Sequence, residues 1–382
     1  MKVYFDNAST TKVHPKVLDA MLPYFTEIFG NPSSIHSFGS TTKVAIEDAR
    51  ETIANLINAD PSEIYFTGSG SEANNFCIRG IAQTEFNESG RNHIVTSSVE
   101  HLSVLNTTKY LHEQNFEVSL VSPNKQFITS LQNITSKVSD STSLLSFIYT
   151  NNETGVKTDI REIKDSLNSN IFLHTDAVQT FGKFKIDVKE IGVDALSASA
   201  HKIQGPKGIG FAYVKNGTPM NSLILGGGQE RNRRGGTENV AYIVGFAEAA
   251  KLAHNNMQSN YKAISELRNY FIDKISNQIK NILFNQSNNN SPNILSLTFS
   301  PLHYSVDPEA MLMFLDINGI AVSSGSACSS GTFKPSHVII GSEQSLDFAK
   351  GTLRFSFSAE NTFDEVDYVI SILKKIAEKY KK

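Results

Sequence analysis

The chain has 382 residues, 40% of them hydrophobic and 19% charged, with a formal net charge of −3 at pH 7. That length suits about two or three domains, and the balance is that of a soluble globular protein with no basic excess to draw nucleic acid or a membrane surface. The only two cysteines, Cys77 and Cys328, lie far apart and suggest neither a disulfide framework nor a metal site; there is no apolar signal segment and no run of the roughly 20 apolar residues that cross a bilayer, so a cytoplasmic protein is expected.

Val3-Tyr4-Phe5 reads as a strand running into Asp-Asn. A helical period over 13–29 stops at Gly30-Asn31-Pro32-Ser33-Ser34, and the stripe Ala45, Ile46, Ala49, Ile53 and Leu56 predicts a second helix over 41–57. Short apolar strands then appear at 64–66, 93–96, 118–121, 144–149 and 171–174, with helices such as 71–81 and 103–112 between them. Such alternation implies a mostly parallel sheet covered on both faces, whose ligands sit at the carboxyl ends of the strands. Strands at 195–199 and 210–214 close this block. An amphipathic helix over 240–258 is read as the hinge into a second unit: helix 264–279, an Asn/Ser-rich solvated connector at 285–293, strand 294–299, helix 308–318, strand 353–357 and helix 363–379. This second unit is expected to be a smaller α+β domain. No internal repeat is visible.

Several polar clusters follow the predicted strands. Ser199-Ala200-His201-Lys202 delivers a lysine into the turn Ile203-Gln204-Gly205-Pro206-Lys207-Gly208. Lys202 is either a solvated turn lysine or, if burial lowers its pKa, a Schiff-base lysine. Thr67-Gly68-Ser69-Gly70-Ser71-Glu72-Ala73 opens a helix and suits a phosphate cradle, an ordinary turn or, more weakly, a dinucleotide fingerprint. Asp176 is a helix cap or the carboxylate that a pyridinium nitrogen requires. His101, in Ser98-Val99-Glu100-His101, is structural or an acid–base group, and Asn151-Asn152-Glu153-Thr154-Gly155 is a turn with amides able to orient a ligand. Arg231, Arg233 and Arg234, set between glycine clusters in the 226–237 segment, form either a solvated basic loop or a clamp for phosphate or carboxylate. Ser323-Ser324-Gly325-Ser326-Ala327-Cys328-Ser329-Ser330-Gly331 predicts a mobile, reachable thiol, whereas Cys77 sits among apolar helix positions and reads as core. Arg354, on a strand, needs a carboxylate partner if buried.

In this order the clusters resemble the cysteine desulfurases of the NifS/IscS type, pyridoxal-phosphate-dependent proteins with the class V aminotransferase fold. The resemblance starts at Tyr4-Phe5-Asp6-Asn7-Ala8-Ser9-Thr10-Thr11, continues through Asn31-Pro32-Ser33-Ser34-Ile35-His36, and ends at Arg354-Phe355-Ser356. It implies an α/β protein of fold type I, with a large cofactor domain over 15–257 and a small domain from 1–14 and 258–382. It implies that Lys202 carries pyridoxal 5′-phosphate, that Asp176 holds the ring nitrogen protonated, and that Gln179 bonds the ring hydroxyl. Asn152 would lie close to ring and substrate, and His101 would stack on the ring and act as acid and base. Gly70, Ser71, Ser199 and His201 would hold the phosphate, with Thr237 from the other subunit of a homodimer. Arg354 would bind the carboxylate of L-cysteine, and Cys328 would take its sulfur as a persulfide, leaving alanine. The acceptor would be an iron–sulfur scaffold protein or the machinery of tRNA thiolation. No metal, nucleic acid or membrane is expected. The phosphate turn departs from the pattern, since Gly68-Ser69-Gly70-Ser71 stands where many members have Ser-Gly-Ala/Gly-Thr, although Ser71 keeps the hydroxyl. The alternatives are a selenocysteine lyase or another enzyme of the same fold and cofactor, and a silent scaffold subunit. The small residues around Cys328 favour the desulfurases with a long cysteine loop.

Overall fold

The structure is a computed structural model that describes residues 1–324 and 334–382. After β1 (Val3–Tyr4) come seven strands: β2 (Ile64–Thr67), β3 (His93–Ser97), β4 (Glu117–Val121), β5 (Thr142–Ile148), β6 (Phe172–Asp176), β7 (Ala195–Ser199) and β8 (Gly210–Val214). They form one sheet in the order β2-β8-β7-β6-β5-β3-β4. Its pairs are parallel from β4 through β7, and β8 runs antiparallel to both β7 and β2. β3, β5, β7 and β8 are buried along their whole length, which is why they read as continuous runs of apolar and small residues. Their side chains still alternate between two cores. Leu145, Phe147, Phe211 and Tyr213 join Ile53 and Phe246 on one face, while Leu144, Ala212 and Val214 join Phe76 and Ile81 on the other. Helices Ser37–Leu56 and Val240–Asn255 pack together over the first face, and Gly70–Ser89 covers the second. This is the α/β architecture expected from the alternation of strands and helices.

The rest of the chain builds a second core. β9 (Ile282–Phe284), β10 (Ile294–Phe299) and, after β11 (Ile320–Ala321), β12 (Thr352–Ser356) supply it; β9, β10 and β12 form an antiparallel sheet in the order β12-β10-β9. β1 pairs in parallel with β11, so the N-terminus belongs to this core, where Phe5 packs edge-on against Phe271 and Phe357. Helices Met257–Gln278 and Phe363–Tyr380 pack on each other; the second starts with a capping box between Thr362 and Glu365.

Three expectations are corrected. The helix over 13–29 is two helices, Pro15–Met21 and Pro23–Thr26, because Pro23 has no N–H to continue the first. The helix expected from residue 41 begins at Ser37, capped by His36, whose Nδ1 accepts the Gly39 N–H. The 285–293 connector is not solvated throughout. Asn285 is 1% exposed and donates to Ser296 and Thr298 on β10, whereas Asn290 donates to the Thr154 carbonyl and the Asn289 carbonyl accepts from Lys157 N, so the connector docks partly on β10 and partly on the turn after β5. No helix among the described residues is long and apolar enough to cross a membrane.

Candidate active site

The parallel strands deliver their following residues to one edge of the sheet, where a cavity of about 670 Å³ opens. β2 leads to Gly70 and Ser71, β3 to His101, β5 to Asn152, β6 to Asp176 and β7 to Lys202, and all of these line it. Ser199, His201, Gln179 and Arg354 line it as well. Thr237 is exposed and does not line it. Cys328 lies outside the described residues.

Lys202 ends a short 3-10 turn after β7. The turn that follows requires a glycine, because a Cβ on Gly205 would stand 2.8 Å from the Ala200 carbonyl oxygen. The Lys202 ammonium donates to the carbonyls of Ala8 (2.6 Å) and Ser9 (2.7 Å). Burial, and after it the charge of Arg354, push its pKa down to about 8 against the pull of Asp6 and Asp176. The solvated-lysine alternative is therefore set aside, and Lys202 can present a free amine near neutral pH.

Asp176 is the last residue of β6, paired with Ile148 and Ser197, and is 3% exposed. Its Oδ1 accepts the Val178 N–H at 3.0 Å and its Oδ2 accepts from Asn74 at 2.7 Å. Gln179 donates to the Ala8 carbonyl at 2.9 Å, and its Oε1 accepts from Lys183 at 2.8 Å. Burial, followed by the charges of Lys202 and Arg354, pushes Lys183 down to about 7. His201 Nδ1 lies 3.2 Å from Thr10 Oγ1; burial, then Lys202, lowers its pKa to about 4.

The helix Gly70–Ser89 is capped by Ser69, whose Oγ accepts the Glu72 N–H. The N–H groups of Gly70 and Ser71 have no acceptor among the described residues. Gly70 is pressed against the floor of the cavity, since a Cβ there would meet Val178 at 2.8 Å and Ser199 at 3.2 Å. Two free N–H groups at the positive end of a 20-residue helix, beside hydroxyls, form an anion site. Asn152 adds a buried Oδ1 with no partner among the described residues. A lysine amine, a carboxylate and an anion cradle around one cavity are the donor set that pyridoxal phosphate requires, and the residues present fit it.

Arg354, 5% exposed, already has its carboxylate: Nη2 donates to Asp6 Oδ1 (2.8 Å) and Ser9 Oγ (2.9 Å), and Nη1 donates to the Asn152 carbonyl (2.9 Å). Its Nε is buried without a partner among the described residues. Asp6 was not singled out for chemistry from the sequence, and neither were Ala8, Asn74, Ser103, Lys183 and His337. The only available signal was the buried arginine's need for a carboxylate. The arginines of the 226–237 segment do not converge on the cavity. Arg234 pairs with Glu72 at 2.8 Å, Arg231 reaches Glu47 and the carbonyls of Pro61, Ser62 and Ile64, and Arg233 donates to the Met220 carbonyl. Cys77 is fully buried, and burial pushes its pKa up to about 12, so it is an inert core thiol.

The family model for "Aminotransferase class-V" matches residues 3–369. Cysteine desulfurase IscS of Clostridium botulinum is 42% identical over 379 residues, covering 98% of this chain and 94% of that protein. Cysteine desulfurase IscS of Dictyoglomus turgidum is 40% identical over 380 residues, covering 99% of this chain and 95% of that protein. Among solved structures, a NifS-like protein superposes with a TM-score of 0.91 at 33% identity, covering 99% of this chain and all of that one. The chain belongs to the class V aminotransferase family and, within it, to the cysteine desulfurases.

Proposed function

We propose that this enzyme converts L-cysteine to L-alanine with pyridoxal 5′-phosphate held on Lys202, and passes the sulfur, as a persulfide on Cys328, to an acceptor serving iron–sulfur cluster assembly or tRNA thiolation. The observation that carries the reading is Lys202, its pKa lowered to about 8, facing the same cavity as Asp176 and the free N–H groups of Gly70 and Ser71. Residues 15–257 then form the cofactor domain, and 1–14 with 258–382 the small domain that carries the cysteine.

Gly70, Ser71, Ser199 and His201 would hold the phosphate, Gln179 the ring hydroxyl and Asp176 the ring nitrogen. The bound cofactor supplies an electron sink for the carbon from which the substrate's α-proton is removed. Arg354 orients the substrate carboxylate, while Asp6, Ser9 and the Asn152 carbonyl fix the guanidinium itself. Lys202, close to neutrality, takes and returns protons at the substrate. The Cys328 thiolate attacks the substrate sulfur: an S–S bond forms, the C–S bond breaks, and its electron pair stays on carbon, which takes a proton to give alanine.

A homodimer in the cytoplasm is part of this reading. Leu22, Phe25, Phe29, Ile35 and Phe38 are all at least half exposed, and the Phe29 and Phe38 rings touch at 5.6 Å. Apolar surface of this kind favours association with a second copy, which would bring Thr237 to the neighbouring site. The test is alanine and sulfide release from L-cysteine by wild type and Cys328→Ser with dithiothreitol present. The serine variant is expected to lose sulfide production while retaining the bound-cofactor absorbance. Alanine release at the wild-type rate by the variant would remove the persulfide role and favour a lyase that does not use the thiol.

A further inference from the structure

The anion cradle carries a negative group of its own. Glu72 lies in the first turn of the helix Gly70–Ser89, and its side chain folds back over the turn that opens the helix. Glu72 Oε2 accepts the Gly68 N–H at 2.8 Å, so an incoming anion finds the N–H groups of Gly70 and Ser71 free among the described residues, but not that of Gly68. Residue 68 has to lack a side chain for this contact, since a Cβ there would stand 2.7 Å from Glu72 Oε2. A serine at 68, as in the pattern of many family members, would push the carboxylate off the turn; glycine admits it.

Gly68 N and Gly70 N are two residues apart, at most about 7 Å of chain, so the carboxylate sits within about 10 Å of the Gly70 N–H. The field of the helix N-terminus that steadies Glu72 is the same field that would hold a phosphate, and two anions sharing it repel. At the effective dielectric of a protein surface, a unit charge at that range changes an anion's affinity by roughly tenfold.

One cation offsets the carboxylate. Arg234 Nε donates to Glu72 Oε1 at 2.8 Å and Nη2 lies 3.4 Å from Oε2, with the two side chains only 22% and 19% exposed, so salt screens the pair incompletely. No other cation pairs with Glu72 among the described residues. The backbone that carries Arg234 is itself anchored: the Gly235 N–H donates to the Ile224 carbonyl at 2.9 Å, and the Gly236 N–H donates to Gln229 Oε1 at 3.1 Å. Arg234 does not line the cavity, so its charge reaches the anion site through Glu72.

We propose that Arg234 is a positioning residue of the anion site: it holds the Glu72 carboxylate on the Gly68 N–H and neutralises it, so that a phosphate can bind beside a group that would otherwise repel it. The inference rests on the proposed function only in taking that anion to be the phosphate of the cofactor. Its signature is a difference in sign. A bridge that merely braces the turn weakens anion binding when either partner is removed. A bridge that works by neutralisation weakens it when Arg234 is removed and strengthens it when the charge of Glu72 is removed.

Dissociation constants of pyridoxal 5′-phosphate, and of pyridoxal, which lacks the phosphate, are read from the bound-cofactor absorbance on cofactor-free enzyme at low and high salt. Arg234→Met should raise the constant for pyridoxal 5′-phosphate about tenfold at low salt and by less at high salt, with pyridoxal changed less than about twofold. Glu72→Gln, whose amide oxygen can still accept the Gly68 N–H, should lower the constant. The double variant, Glu72→Gln with Arg234→Met, should recover the wild-type constant, and Arg234→Lys, which keeps the charge, should stay close to it. A weaker site in Glu72→Gln overturns the proposal, and that variant decides the question even if Arg234→Met melts below the assay temperature. An equal loss of pyridoxal and pyridoxal 5′-phosphate affinity in Arg234→Met, or a double variant as weak as Arg234→Met, also overturns it. Inorganic phosphate, followed by calorimetry, should rank the variants in the same order. Wild type that released no alanine from cysteine but kept this order would sink the proposed function and leave the role of Arg234 standing.

Discussion

The 226–237 segment supplies the most sharply quantified prediction. β2 is the outer strand of the large sheet, so the backbone groups on its free side need partners. Side chains replace a neighbouring strand there. The Phe66 N–H donates to Glu230 Oε2 at 2.9 Å, and the Ile64 carbonyl accepts from Arg50 at 2.8 Å and Arg231 at 3.2 Å. Arg50 and Glu230 form a two-pronged pair at 2.8 and 2.9 Å, with side chains only 4% and 1% exposed, and the guanidinium lies 4.9 Å above the Phe66 ring. The pair also holds Glu230, Arg231 and Asn232 at φ of 43°, 55° and 63°, a left-handed run that costs non-glycine residues roughly 1–2 kcal/mol each. Arg50→Met leaves the Glu230 carboxylate buried with the Phe66 N–H alone. Breaking a buried pair from one side costs about 3–5 kcal/mol. With an unfolding entropy of about 2.1 cal/mol/K per residue, that cost corresponds to a melting temperature lower by about 4–6 °C for a chain of 382 residues. Because β2 runs directly into the Gly68–Ser71 turn, cofactor affinity should fall with it. Thermal melts of wild type, Arg50→Met, Glu230→Gln and the double variant close a cycle whose coupling should exceed about 2 kcal/mol. A shift of about 1 °C or less for Arg50→Met, the scale of an exposed pair, would refute the edge-covering role.

Three further outcomes follow from the site. Cofactor-free enzyme should take up pyridoxal phosphate about tenfold faster at pH 9 than at pH 7, levelling above pH 9, because the Lys202 amine is freed as pH rises through about 8; a rate still climbing at pH 10 would mean an ordinary lysine. Arg354→Lys should raise KM for L-cysteine about 10–100-fold, the equivalent of one charged hydrogen bond of about 1.5–3 kcal/mol, with the melting temperature as control for the lost contacts to Asp6 and Ser9. Glu153, which accepts a hydrogen bond from Ser336, is pushed by burial up to about 7, so its protonated form is favoured in the fold. That stability is fully present below the ordinary carboxylate range and is lost as pH rises through about 7. Wild type should therefore melt lower at pH 8 than at pH 5.5, and Glu153→Gln should remove part of that difference; an unchanged difference would contradict the assignment.

What the sequence disclosed and what it concealed divide along the range of the interactions. The strands at 195–199, 210–214 and 294–299 and the run of residues leading to Lys202 are set by neighbours within a few positions, and periodicity with turn chemistry is enough to find them. The groups that tune the site are not local. Asp6 meets Arg354 across 348 positions, Asn74 meets Asp176 across 102 and Arg50 meets Glu230 across 180. Neither member of such a pair carries a pattern of its own. His101 was visible as a histidine after a strand but not as a helix cap, because serine, threonine, aspartate and asparagine dominate that position. The basic segment is ambiguous in sequence for a related reason. Arginines between glycines describe an anion clamp and a strand-edge cover equally well in one dimension. The residues that adopt the left-handed turn there are Glu230, Arg231 and Asn232, while the neighbouring glycines, where a left-handed conformation would be sought, flank it. The carboxylate of Glu230 decides between the two readings. Once it is buried against Arg50 and the edge of β2, the segment is tied to the sheet two residues before the phosphate turn, and its arginines serve the fold that presents the anion site instead of binding the anion.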